Sequence, residues 1–126
     1  MNWYKLLLVG LGGSLGSIAR YVSVRLVDGR WPSFFPYGTL AVNVVGSFAL
    51  GFVYGYSLRK SDPENLILLM GTGFCGGFTT YSAFAFQQVS LWQQKLEWIA
   101  IAYVGITLAA GFVAVIAGLL AGKYLG

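Results

Sequence analysis

Apolar residues run along this chain in four long blocks, with polar positions recurring inside them at helical spacing. Between charged residues, Trp31 to Leu58 spans 28 positions, Asn65 to Gln94 spans 30 and Trp98 to Gly122 spans 25. Each exceeds the roughly 20 residues with which a helix crosses a bilayer core. Leu6 to Val24 is a fourth block holding one charge, Arg20. The pattern predicts four transmembrane helices over about 5–27, 37–58, 64–92 and 98–124, forming one domain over 1–126. Gly29, Pro32 and Pro36 break the chain after the first, and Ser61, Asp62, Pro63 and Glu64 carry a helix-start signal before the third. Trp3, Trp31, Trp92 and Trp98 fall at predicted helix ends, where amphipathic rings sit at the water interface.

Polar and small residues inside the blocks share faces. Thr39, Asn43, Ser47, Gly51 and Gly55 recur every four residues in the second helix, so they lie along one slowly drifting face. Small residues at that spacing let helices approach closely. Asn43 stands apart, because an idle amide donor is costly away from water. The fourth helix repeats the spacing with Tyr103, Thr107 and Gly111. The first offers Gly12, Gly16 and Arg20, and an arginine inside a span marks a candidate functional position.

Composition makes this an all-α membrane protein. The chain is 57% apolar and 10% charged, with mean hydropathy +0.72, whereas a soluble domain carries roughly 25% charged residues. A multi-pass membrane location follows, and the plasma membrane is the expected one. The cations divide evenly, with Lys5, Arg59, Lys60 and Lys123 on the side of both termini and Arg25, Arg30, Lys95 and the deeper Arg20 opposite. Topology is set by an excess of Lys and Arg on one side, so this balance predicts insertion both ways up and an antiparallel homodimer.

Chemistry is limited by what is missing. With no histidine and a single cysteine, Cys75, there is no nucleophile and base pair, and an enzyme is not expected. No span interior holds a carboxylate for proton coupling, which weighs against the alternative of a small four-helix multidrug or cation exporter. Nothing in the chain asks for nucleic acid. The polar groups at depth are neutral donors, aromatic rings and one guanidinium, an inventory that suits an anion.

The third block contains GTGFCGGFTTYSAFAF over 71–86. Gly71, Gly73, Gly76 and Gly77 have little propensity to continue a helix, so a break in mid-membrane is expected there. Irregular backbone at that depth is tolerated only when buried in protein or lining a polar cavity. Freed carbonyls in such a break suit a cation and freed amides an anion. Phe74, Phe78, Tyr81 and Phe84 follow at spacings of four, three and three, a single aromatic face if the helix resumes, with Thr79, Thr80 and Ser82 supplying hydroxyls. Aromatic ring edges are electropositive and can line an anion path.

GFCGGFTTYSAF, with GTLAVNVVGS in the second helix and GGSLGSIARY in the first, resembles the small bacterial fluoride channels of the CrcB/Fluc family from end to end. The resemblance implies a dual-topology homodimer that passes fluoride out of the cell, with a structural Na+ at its centre held by main-chain carbonyls. On this sequence those carbonyls fall on Gly76 and Thr79. The pore asparagine falls on Asn43, the arginine at the end of the first helix on Arg20, and the two pore aromatics on Tyr81 and Phe84. Thr80, Ser82, Tyr103 and Thr107 are the neighbouring polar candidates. Tyr81 departs from the family pattern, which has phenylalanine there, and Phe78 replaces its usual leucine.

Overall fold

The computed structural model describes residues 1–126, and every regular element in it is helical. The elements are α1 (Trp3–Arg30), α2 (Tyr37–Ser57), α3 (Glu64–Leu66), a π-helix (Ile67–Cys75), α4 (Gly76–Phe78), α5 (Tyr81–Gln93) and α6 (Glu97–Leu125). Four stretches are long and apolar enough to span a membrane: Trp3–Arg30, Tyr37–Ser57, Glu64–Gln93 and Glu97–Leu125. They run up and down. Lys5 Nζ meets Glu64 at 2.6 Å, joining the starts of α1 and α3. At the opposite end the Gly38 N–H donates to Asp28 Oδ1 at 2.8 Å, tying α2 to α1.

The first helix outruns its expected end at Val27. It winds through Gly29 and stops against Pro32, with the Trp31 N–H closing on the Val27 carbonyl at 2.9 Å. Glycine near a helix end costs only about 1 kcal/mol, whereas proline restricts the residue before it. Trp31 accordingly leaves the helix at φ −126°, ψ 71°.

Two glycine seams hold the bundle together. Along α2 and α6, a Cβ on Gly51 or Gly55 would strike the carbonyls of Val115 or Leu119, and one on Gly118 or Gly122 would strike those of Phe48 or Phe52. Four glycines thus interlock two backbones at a distance no side chain would permit. Along α1 and the π-helix, Gly12 and Gly16 sit directly against the carbonyls of Leu69 and Phe74. Large apolar side chains such as Ile18, Leu26, Phe112 and Ile116 point outward, as a lipid-facing surface requires. The main aromatic core gathers Leu91, Ala100 and Tyr103 with Phe35, Leu40 and Phe84.

The glycines of the third span do not unwind it. Helical bonding continues through Gly71 and Gly73 as π turns, with the Gly76 N–H reaching the Gly71 carbonyl five residues back. Their smallness serves α1 instead: a Cβ on Gly73 would lie 3.0 Å from the Gly12 Cα, and one on Gly77 would collide with the Gly13 carbonyl. The residues that leave the helix are two threonines further along, Thr79 and Thr80.

Candidate functional site

Thr79 (φ −92°, ψ 160°) and Thr80 (φ −151°, ψ 123°) are extended, between the end of α4 and the start of α5. Branching at Cβ makes threonine tolerant of that conformation. A continuous helix would send the N–H groups of Thr80, Tyr81 and Ala83 to the carbonyls of Gly76, Gly77 and Thr79. In each of those pairs one group finds another partner. The Thr80 N–H donates to Asn43 Oδ1 at 2.7 Å. The Gly77 carbonyl accepts from Arg20 Nε at 3.0 Å. The Ala83 N–H donates to Thr80 Oγ1 at 3.2 Å, making Thr80 the N-cap of α5.

Asn43 also donates from Nδ2 to the Thr80 carbonyl at 3.1 Å. Its amide therefore pairs with one residue's N–H and C=O as a neighbouring strand would, and keeps a second N–H free. Arg20, half-buried on α1, spends one donor on Gly77 and retains its terminal nitrogens. Both residues thus pin the extended pair in place while holding further donors in reserve. The released carbonyls belong to Gly76 and Thr79, and no backbone donor of the chain reaches that of Thr79. Neutral carbonyl oxygens suit a hard monovalent cation. No cluster of three or more His, Cys, Asp or Glu offers a side-chain metal site.

A groove of about 540 Å³ opens beside this break. Asn43, Gly76, Thr79, Thr80, Tyr81, Phe84 and Thr107 line it, with Ser47 of α2 and Gly111 of α6. Arg20, Ser82 and Tyr103, also expected at the site, lie outside its walls. Arg20 sits behind it on Gly77. Ser82 Oγ is 3.3 Å from Thr80 Oγ1. Tyr103 is fully buried, packing edge-on against Phe84 with centroids 5.0 Å apart and planes at 66°.

The aromatic face expected across the break is divided in two. Phe74 and Phe78 stack on each other at 5.7 Å before it, and Tyr81 and Phe84 meet at 6.2 Å after it. Two extended residues advance the chain without the helical turn, so the four rings cannot share one stripe. Only the second pair reaches the groove, and Tyr81 is 80% exposed there.

Sequence reasoning missed the polar chain behind Phe84. The Tyr103 hydroxyl donates to Gln87 Oε1 at 2.7 Å, and Gln87 Nε2 donates to Thr39 Oγ1 at 2.8 Å. Gln88 Nε2 donates to the Ala100 carbonyl at 3.0 Å. Adjacent glutamines inside a charge-free span were the available signal, because two uncharged amides at that depth demand partners. Together these bonds lock α5 to α2 and α6 without a titratable carboxylate.

One hydroxyl breaks the rule that buried polar groups are paired. Thr107 Oγ1, on the groove wall, is buried with no hydrogen-bond partner. Thr107→Val keeps the shape and removes that unsatisfied group, so the protein's melting temperature in detergent is expected to hold or rise. A fall in ion flux through the same variant would assign the hydroxyl to a passing ion.

Comparison with known proteins gives a consistent picture. The family profile described as CrcB-like protein, Camphor Resistance (CrcB), matches residues 7–119. The chain is 42% identical over 117 residues to the fluoride-specific ion channel FluC of Chelativorans sp., covering 92% of this chain and 94% of that one. It is 40% identical over 127 residues to the fluoride-specific ion channel FluC of Bacteroides fragilis, with 97% and 95% coverage. It is 39% identical over 114 residues to the fluoride-specific ion channel FluC 1 of Carboxydothermus hydrogenoformans, with 90% and 89% coverage.

Proposed function

Because the chain belongs to the CrcB-like family, we propose that it is a fluoride-specific channel, a multi-pass protein of the plasma membrane that lets fluoride leave the cell passively. It is a conduit and not an enzyme. The observation that carries this reading is the groove itself. Amide, hydroxyl and ring-edge groups converge there beside an extended backbone pair, with no carboxylate among them.

Fluoride is small and strongly hydrated, so a dry path must offer it several donors, each weak enough to release it. The spare N–H of Asn43 and the hydroxyls of Thr80 and Thr107 serve as those donors, with Ser82 Oγ behind Thr80 Oγ1 at 3.3 Å. The edge of Phe84, set by its T-shaped contact with Tyr103, and the ring of Tyr81 line the passage. Tyr103 steadies Phe84 from behind, and the terminal nitrogens of Arg20 raise the local anion concentration.

The working unit of this reading is an antiparallel homodimer, each copy's third span broken in mid-membrane. Three things support it: an even split of cations between the two ends, an open groove, and the outward Tyr81. A single structural Na+ fits the released carbonyls of Gly76 and Thr79, which would hold it together with the same carbonyls of the second copy. Its charge would balance oxygens gathered at the centre.

Fluoride-electrode recordings of efflux from liposomes loaded with potassium fluoride test the function, and chloride efflux at the same rate would overturn it. Labelling the C terminus from each face of the membrane tests dual insertion, which fails if only one face reacts. Tyr81→Phe is expected to leave selectivity intact and to change efflux by less than about tenfold, the scale of one hydrogen bond. Tyr81→Ala, which removes the ring, is expected to cost more.

A further inference from the structure

A second groove, again of about 540 Å³, lies away from the one just described, between the last turns of α1 and the first turns of α2. Val27 and Trp31 form one wall, Tyr37, Leu40, Ala41 and Val44 the other. All six are apolar or amphipathic, and the volume falls within the ~300–1,000 Å³ of sites that hold small molecules. The groove reaches the end of the helices. Trp31 is the C-cap of α1 and Tyr37 the first residue of α2, so its mouth opens where tryptophan and tyrosine meet headgroups.

Two opposite charges, Asp28 and Arg30, stand at that mouth. The Arg30 guanidinium lies 5.1 Å from the Trp31 ring centroid, over the groove's edge. Asp28 is turned to the Gly38 N–H, and the Arg30 guanidinium has no carboxylate within ion-pair distance. Basic groups beside clefts between membrane helices attract anionic headgroups. We infer that this groove binds an anionic phospholipid, an acyl chain lying along Val27, Ala41 and Val44 and the phosphate meeting Arg30.

Native mass spectrometry of the purified channel, titrated with phosphatidylglycerol or phosphatidylcholine, reads the inference directly. Phosphatidylglycerol is expected to be retained about fivefold more strongly, the contribution of one basic side chain near an anionic headgroup. Arg30→Gln should remove that preference while keeping acyl binding. Ala41→Phe, which fills the groove, should lower retention of both lipids. Equal retention of the two lipids by the native protein, or a preference that survives Arg30→Gln, overturns the inference. So does a shift of Ala41→Phe to a smaller oligomer, which would mean that protein covers the groove. Arg30→Gln alone decides the headgroup if the filled variant does not fold.

Discussion

Asn43→Leu is expected to lower fluoride efflux by about a hundredfold or more while leaving the four spans inserted. Leucine shares the branched outline of asparagine but offers Thr80 neither acceptor nor donor. The Thr80 N–H and C=O, bonded to Asn43 at 2.7 Å and 3.1 Å, would both be stranded away from water. A buried polar group left without a partner costs roughly 1–3 kcal/mol. Two such groups cost roughly 2–6 kcal/mol, a range centred above the about 2.8 kcal/mol of a hundredfold shift in an equilibrium. The extended pair would then be replaced by the nearest arrangement that satisfies it, a continued helix in which the Thr80 N–H returns to Gly76. That rewinding turns Tyr81 and Phe84 away from the groove. Asn43→Asp separates positioning from charge, since it keeps the acceptor for the Thr80 N–H yet sets a carboxylate against the Thr80 carbonyl. Efflux from liposomes, read beside circular dichroism of the same samples, checks both variants. Native flux through Asn43→Leu would show that Asn43 neither holds the break nor meets the ion.

Gly16→Val is expected to cost about 3 kcal/mol or more, at the upper end of overpacking effects, and to abolish efflux. A Cβ at Gly16 runs into the Phe74 carbonyl and lies 3.0 Å from the Phe78 nitrogen. Both are backbone atoms, so no change of rotamer relieves the clash and α1 must back away from the third span. Arg20, one turn further on α1, would then lose its 3.0 Å bond to Gly77, and with it one of the three supports of the break. Gly10→Ala is the control, because nothing lies within 4 Å of a Cβ there. Thermal melting in detergent and recovery of the folded species by size exclusion measure the difference. A Gly16→Val protein that melts with the native one would mean that the seam is looser than its geometry.

Asn43 and Arg20 stand out by type and depth alone, because a polar side chain in an apolar span is conspicuous wherever it lies. Their partners were invisible, since Asn43 meets Thr80 across 37 residues and Arg20 meets Gly77 across 57. The roles therefore shifted in the folded chain: two residues read as ion ligands are also the clamps of an irregular backbone. Gln87 was overlooked because an amide shows its importance only when Thr39 and Tyr103 are seen on either side of it.

Hydrophobic length, helical period, tryptophans at the ends and the lack of buried carboxylates are properties of neighbouring residues, so the amino-acid order alone dictates four spans and a neutral, donor-rich interior. Where the third span opens is not such a property. Propensity points to the glycines, but those glycines are held in π and α turns by the close approach of α1. The backbone opens at Thr79 and Thr80 because side chains from α1 and α2 arrive there to replace the missing bonds, and only the packed helices bring them within reach.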